Sequence, residues 1–264
     1  MKKRIFFCAI LIVIFAVGCT ATIQPPERNP QIAEIAAILT QTAMATAAPT
    51  TQDLTPSVTP DAAFTTDKQT IFRDDFNRFL EPDWRWKNEN PSNWSLMTRS
   101  GTLEIQCDRG YINLGNAKNL LLHTAPTGDF IVETGFSFLP NNSDQFAGLV
   151  LFASETDFIQ AGLGYCSKVV GCIEKGFYID RYKGGKLQLP RIAIPFSGNA
   201  IAVRMSVQGE ILTVSTSPNG NIWYRVLQQP LEFSPTETGI FTGQNNETQT
   251  ITATFEYFEI SQSK

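Results

Sequence analysis

The sequence has little of what hydrolytic active sites and nucleic-acid surfaces are built from. Its 264 residues include one histidine, and 21 lysine and arginine residues face 25 aspartate and glutamate residues. A net charge of −4 with mixed signs offers no basic stripe, so nucleic acid is not expected as a partner. His123 is the one candidate base for a Ser–His–acid triad, no serine lies in a nucleophile-elbow motif, and no tetrahedral zinc set exists. We expect a chain that is not an enzyme and has no cofactor.

Hydrophobic runs are short, and the longest one stands at the N-terminus. Residues 1–19 combine a basic start, an apolar stretch from Ile5 to Phe15, and Ala-Val-Gly before Cys19. The stretch is shorter than the roughly 20 apolar residues that span a bilayer, and the pattern is typical of a signal peptide. Ala-Val-Gly-Cys resembles the bacterial lipobox, which implies acylation of Cys19 and a lipid anchor in the membrane. A plain secretory signal is the alternative.

Two regions follow the signal peptide. Residues 20–69 are rich in Ala, Thr, Pro and Gln with few large apolar side chains, which predicts a disordered linker that lifts the next domain off the membrane. Residues 70–262 contain short alternating runs separated by turn clusters such as PTGD, NNSD and KGGK. This texture predicts one all-β domain, a two-sheet antiparallel sandwich, with Phe130–Phe138 and Ile201–Val207 presenting alternate residues to the core.

The richest stretch lies at the start of this domain. Three of the four tryptophans, Trp84, Trp86 and Trp94, stand within FRDDFNRFLEPDWRWKNENPSNWSL at residues 72–96. Together with NLLLHTAPTGDFIVETGFSF, FAGLVLF, SPNGNIW, GIFTG and ATFEYFEI, this stretch resembles the concanavalin A-like domain at the C-terminus of many bacterial β-xylosidases and α-arabinofuranosidases. The resemblance covers residues 71–261 and implies a jelly-roll sandwich with a carbohydrate-related role. It carries no hydrolytic site, because the catalytic carboxylates of those enzymes lie in a separate propeller, which we do not expect in this chain.

The resemblance also implies a possible ion. Concanavalin A-like sandwiches often carry structural calcium, and oxygen ligands such as Asp75 on the first strand and Glu256 on the last would suit it. No EF-hand-like loop supports such a site, so structural Ca²⁺ stays an alternative to a domain without metal.

Cysteine usage predicts one disulfide. Cys166 and Cys172 bracket SKVVG between two strand-like runs, a spacing that a hairpin loop can close, and an exported domain is oxidised. Two unlinked thiols are the alternative. Cys107 is then left as a buried free thiol.

Two sets of residues combine the aromatic rings and planar polar groups that bind sugars. The first set is Trp86, Asn88 and Glu89, and the second is Tyr178, Asp180 and Tyr182, which alternation places on one strand face. In the alternative interpretation the tryptophans are core residues and the tyrosines are half-exposed; Trp94 is expected in the core in either case.

These observations predict an exported, envelope-anchored, monomeric module that binds a polysaccharide or oligosaccharide. A structural or protein-docking sandwich is the main rival, and a glycoside hydrolase is the weaker one.

Overall fold

The computed structural model describes residues 59–60, 68–166, 171–245 and 250–263. The predicted signal peptide, Cys19 and nearly all of the 20–69 linker lie outside these residues. The described chain is all-β apart from two single-turn 3-10 helices, Pro91–Asn93 and Ile112–Leu114. No helix in these ranges is long and apolar enough to cross a membrane.

Within these ranges, seventeen strands form two sheets in which every strand pair is antiparallel. In chain order they are β1 (Thr59–Pro60), β2 (Lys68–Asp74), β3 (Arg85–Lys87), β4 (Trp94–Ser95), β5 (Leu103–Gln106), β6 (Leu120–Thr124), β7 (Phe130–Ser137), β8 (Gln145–Phe152), β9 (Phe158–Cys166), β10 (Glu174–Lys183), β11 (Lys186–Leu187), β12 (Ile192–Pro195), β13 (Ala200–Gln208), β14 (Ile211–Ser217), β15 (Tyr224–Pro230), β16 (Glu237–Gly243) and β17 (Thr252–Ser263).

Sheet A has the order β1-β15-β14-β13-β7-β17-β5-β4, and β2 pairs with the far half of β17. Sheet B has the order β11-β10-β9-β8-β16-β6-β3, and β12 pairs with β10. Strands that are neighbours in the sheets are frequently distant in sequence, as β7 and β17 are. This crossing of the chain between two sheets confirms the predicted antiparallel sandwich.

The main core lies between the sheets and follows the predicted alternation. Near the middle of sheet A, the residues buried in it are Phe130, Val132 and Phe136 on β7, Phe138 just after β7, and alternate residues of β13. From sheet B, the odd-numbered residues of β8, β9 and β10 point into this core, as Leu149 on β8 does. Because side chains in a strand point to opposite faces in turn, the even-numbered residues of β8, β9 and β10 face away from the main core.

A second apolar cluster occupies this outer face of sheet B. It contains Phe146, Val150 and Phe158 from the strands, and Ile112 and Ala117 from the 107–119 loop that passes over them. Sheet B is therefore covered on both faces where this loop packs. The loop also forms one side of a depression on the outer surface of β9 and β10.

The Asp-Asp motif at the start of the domain has a structural role. Asp74, at the end of β2, is 2% exposed, and its two carboxylate oxygens accept three hydrogen bonds. The donors are the backbone N–H groups of Phe76 and Glu81 and the indole N–H of Trp84, at 2.8, 2.9 and 2.8 Å. A buried carboxylate needs such partners, so Asp74 fixes the loop that leads into β3.

Close approach of strands requires glycine in the middle of sheet B. Gly148 on β8 pairs directly with Gly162 on β9. A Cβ atom at Gly162 would lie 2.0 Å from the carbonyl oxygen of Ala147, so any side chain there would push β8 and β9 apart.

Candidate functional site

A cleft of about 360 Å³ lies on the outer face of sheet B. Strands β8, β9 and β10 form its floor, and the 107–119 loop and the segment before β12 form its sides. Its lining combines three kinds of group: aromatic rings, side-chain amides and charges. These are Tyr111, Phe146 and Tyr182; Asn113, Gln160 and Asn245; and Asp144, Asp180 and Arg191.

The floor of the cleft is an ion pair. Arg191 Nε and Nη2 donate to the two carboxylate oxygens of Asp180 at 2.6 and 2.7 Å, and the two side chains are 6% and 2% exposed. Gln160 Nε2 donates to the same carboxylate at 3.2 Å. Burial alone lowers the pKa of Arg191, but the hydrogen bonds and charge of Asp180 outweigh it, and the pKa is raised. The Arg191 guanidinium therefore stays charged at neutral pH.

The predicted disulfide supports this floor. Cys166 and Cys172 are bonded, which confirms the pairing, and Cys107 is a buried free thiol as expected. The remaining arm of Arg191, Nη1, lies 2.9 Å from the Cys166 sulfur and 3.3 Å from the Cys172 sulfur. The guanidinium is therefore held between the bridge and Asp180.

Two tyrosines stand at the sides of the cleft. The ring of Tyr182 stacks on Phe158 with centroids 4.6 Å apart and an interplanar angle of 11°. The hydroxyl of Tyr111 donates to the carbonyl oxygen of Asp144 at 3.1 Å. Burial raises the pKa of Tyr182 to about 12 and also raises that of Tyr111. Both phenols are neutral at physiological pH and keep hydrogen-bonding capacity for a ligand.

The second predicted sugar set is thus only partly on this surface. Tyr178, Asp180 and Tyr182 share the outer face of β10, as the alternation indicated. Tyr178 is 2% exposed, however, and its hydroxyl donates to the carbonyl oxygen of Glu174 and accepts the N–H of Ile173. It lies beneath the surface against Phe146 and presents no ring to a ligand.

The first predicted sugar set lies elsewhere and makes internal contacts. Trp86 points towards the main core, half-buried, with its ring 5.0 Å from that of Trp94. Trp94, predicted as a core residue, packs against the core but stays half-buried, and its indole N–H donates to Glu89 at 3.1 Å. Asn88 Nδ2 donates to the carbonyl oxygens of Gly115 and Ala117. Asn88 therefore holds the 107–119 loop, which forms one side of the cleft.

The candidate calcium ligands are engaged or exposed. Asp75 accepts two hydrogen bonds from Arg73, at 2.9 and 2.7 Å, and Glu256 is exposed on β17. Across the described ranges no three histidine, cysteine, aspartate or glutamate side chains are close enough together to hold a metal ion.

His123 has structural surroundings. Its ring packs 4.1 Å from that of Phe72 and 5.8 Å from that of Trp84, and its Nδ1 lies 2.9 Å from the carbonyl oxygen of Thr124. These contacts support the interpretation of His123 as a structural strand residue.

A larger cleft, of about 690 Å³, lies at one end of the sandwich near Phe233. Its described lining consists of apolar, hydroxyl, glycine and proline residues with the carboxylates Glu210 and Glu232, and none of these residues has an amide or cationic side chain. Size alone favours this cleft, but the chemistry of sugar recognition favours the smaller one on sheet B.

Several residues of the sheet B cleft were missed from the sequence. Gln160 alternates with Ile159 and Ala161 and was recognisable as an outward residue of β9. Arg191 lies outside any strand, and Tyr111 and Asp144 belong to loops. Only the pairing of β12 with β10 brings Arg191 beside Asp180, and no local pattern encodes that contact.

Comparison with known proteins gives the family. Residues 73–261 match the model of the beta xylosidase C-terminal concanavalin A-like domain. The fold is similar to part of the GH43 protein BlXynB from Bacillus licheniformis (TM-score 0.64, 17% identity, 73% of this chain and 39% of that one). It is also similar to part of the xylan beta-1,4-xylosidase from Bacillus halodurans C-125 (TM-score 0.62, 20% identity, 72% and 39%).

The chain thus spans about two fifths of the length of these two solved structures. None of the curated proteins compared with it matches. Since the family model covers residues 73–261 of 264, the chain belongs to the beta xylosidase C-terminal concanavalin A-like domain family.

Proposed function

We propose that the protein is a non-catalytic carbohydrate-binding module whose site is the cleft on the outer face of sheet B. The observation that carries the proposal is the make-up of the cleft. Aromatic rings stack on the C–H faces of sugars, while amides and charged groups bind the hydroxyls. Tyr111 and Tyr182 provide rings, and Asn113, Gln160 and Asn245 provide amides, all between two walls fixed by the fold.

The same geometry favours binding over hydrolysis. A glycosidase needs a carboxylic acid that donates a proton to the leaving group. Asp180 accepts hydrogen bonds on both oxygens from Arg191 and a third from Gln160, so neither oxygen is placed to donate a proton to a leaving group. Asp144, the other acidic residue of the cleft, would then act without a partner acid.

Binding is tested by titrating the detergent-solubilised full chain with xylo- and arabino-oligosaccharides in a calorimeter. Tyr182→Ala should weaken binding about fivefold or more, because one stacking ring contributes on the order of 1 kcal/mol. Tyr224→Ala is the matched control, since Tyr224 is half-buried on β15 of the opposite sheet. Equal losses in the two variants, or no binding by the parent chain, would refute the cleft as a sugar site.

We further propose that the module is a monomer held on the outside of the cell envelope by lipid on Cys19. The lipobox-like sequence Ala-Val-Gly-Cys supports the lipid anchor. Cys19→Ala should move the protein from the membrane fraction to the soluble fraction after the signal peptide has been removed. Unchanged membrane association with a cleaved signal would rule the anchor out.

A protein-docking role is the second candidate. In the solved relatives the matching region is about two fifths of a longer chain, so this fold is found joined to other protein structure. Hydrolysis of the same oligosaccharides, or absence of binding across a glycan array, would replace the carbohydrate-binding proposal with one of the two rivals.

A further inference from the structure

The charges of the sheet B cleft bear on the class of sugar it accepts. Among the residues that the structure describes, three charged side chains line it: Asp144, Asp180 and Arg191. Arg191 is the cation among the described lining residues, and its guanidinium is already shared between Asp180 and the two sulfur atoms of the disulfide. The described lining therefore has two carboxylates to one cation.

We infer that the cleft selects neutral sugars and rejects uronic acids and other anionic glycans; this rests on the proposed carbohydrate-binding function. A ligand carboxylate would have to take Arg191 from Asp180. That exchange leaves Asp180, which is 2% exposed, as an unpaired buried charge, and such a loss is strongly unfavourable.

The second carboxylate adds to this selection. Asp144 is half-buried at the mouth of the cleft, where its carbonyl oxygen accepts the hydroxyl of Tyr111. Like charges in a partly desolvated site repel each other more strongly than in bulk water. Arg109, two residues before Tyr111, is exposed and lines a separate cleft with Asn90 and Lys118.

What remains available suits hydroxyl groups. The described contacts engage the amide nitrogen of Gln160 and leave its oxygen as an acceptor, and the phenol of Tyr111 can still accept a hydrogen bond. A neutral sugar uses these groups without disturbing the Asp180–Arg191 pair. The cleft therefore selects ligands by their charge and does not select one neutral sugar over another.

The test compares matched ligands on the full chain in detergent. Xylotetraose and the same oligosaccharide bearing one glucuronic acid are titrated at low and high salt. We expect the acidic ligand to bind about tenfold more weakly, with the difference shrinking at high salt because the repulsion is screened. Binding of the acidic ligand with equal or higher affinity would overturn the inference, whereas absence of binding by both ligands would overturn the carbohydrate-binding proposal instead.

A variant provides the second arm. Asp144 has a positive φ of 67°, and asparagine tolerates this region as well as aspartate does, so Asp144→Asn should keep the loop intact. The ratio of xylotetraose affinity to acidic-ligand affinity should fall about threefold or more, because the acidic ligand no longer meets the Asp144 charge. Asp129→Asn, at a surface turn where Asp129 accepts the N–H of Gly209, is the control and should not change this ratio. An unchanged ratio of affinities in Asp144→Asn would contradict the role given to Asp144.

Discussion

The outer faces of the two sheets carry similar polar side chains and use them differently. On sheet A, Glu133 accepts hydrogen bonds from Arg204, Lys68 and Tyr257, and the Arg204 guanidinium lies 3.8 Å above the ring of Trp223. On sheet B, the Asp180–Arg191 pair stands beside amides and phenols that retain hydrogen-bonding capacity. A network whose polar groups bond to one another contributes stability, whereas a network at a cleft with hydrogen-bonding groups still available can bind a ligand.

The difference appears only when contacts are considered. The alternation predicted for Ile201–Val207 leaves Arg204 and Ser206 on the face away from the core, and they do face away from it. Yet they are only 6% and 2% exposed. Alternation gives the face of a residue in a sheet, and the neighbours on that face decide whether it meets solvent.

The largest expected effect comes from breaking the closed network of sheet A. Glu133→Ala leaves Arg204 without its carboxylate partner at 7% side-chain exposure. Removing one partner of a buried pair costs about 3–5 kcal/mol. Urea unfolding should show this loss, and any sugar affinity should be unchanged in the fraction that stays folded. A loss below about 1 kcal/mol would mean that the sheet A network is not stabilising.

The corresponding change on sheet B should affect both properties. Arg191→Met keeps much of the packing on Phe146 and Tyr178 but leaves Asp180 unpaired. We expect a stability loss of about 3 kcal/mol together with at least a tenfold loss of sugar affinity. If affinity persists while stability falls, the ion pair is a structural element like that of sheet A, and the contrast between the sheets disappears.

Removal of the disulfide should have a smaller effect. The bond joins residues only six positions apart, and the entropy of closing so short a loop stabilises the fold by about 2 kcal/mol. Cys166→Ser combined with Cys172→Ser should lower the midpoint of urea unfolding accordingly. Cys107→Ser in the intact-disulfide background separates the effect of the bridge from that of losing a thiol.

The smallest expected effect is the coupling between two neighbouring tryptophans. Trp86 and Trp94 are both half-buried and in contact, so the two alanine variants and the double variant form a cycle. A coupling energy of about 0.5–1.5 kcal/mol is expected from an aromatic pair. Trp86→Ala should leave sugar affinity unchanged if the sheet B cleft is the site. A selective loss of affinity in that variant would restore the first predicted sugar set.

Cysteine chemistry gives a pH-dependent check. Burial raises the pKa of Cys107 to about 12, so the native thiol is protonated at pH 8 and should not react with iodoacetamide. Mass analysis should find one alkylated thiol after unfolding without reduction and none before it. Because the folded pKa is raised, the stability linked to this group is present below the ordinary thiol pKa and is lost as the pH rises towards 12.

Local sequence patterns were sufficient to predict the fold but predicted only some of the residues that line the cleft. Period-2 alternation and turn clusters identified the strands, and the alternation of Tyr178, Asp180 and Tyr182 identified their shared face. Burial of Tyr178 and engagement of Asp180 depend on Phe146 and Arg191. Those residues arrive through strand pairing across sheet B, which a single strand's sequence does not specify.

The 12 residues of β17 have a consequence for how the chain folds. This strand pairs with β7 along one side and with both β5 and β2 along the other, and Arg73 on β2 meets Glu259 across 186 positions of sequence. Contacts this distant in sequence can form only after a large loop has closed, which makes all-β domains slow folders, on the millisecond-to-second scale. Until β17 has paired, β2, β5 and β7 each lack one neighbouring strand. Partly folded chains therefore expose unpaired strand edges, and these chains are the species most prone to aggregate.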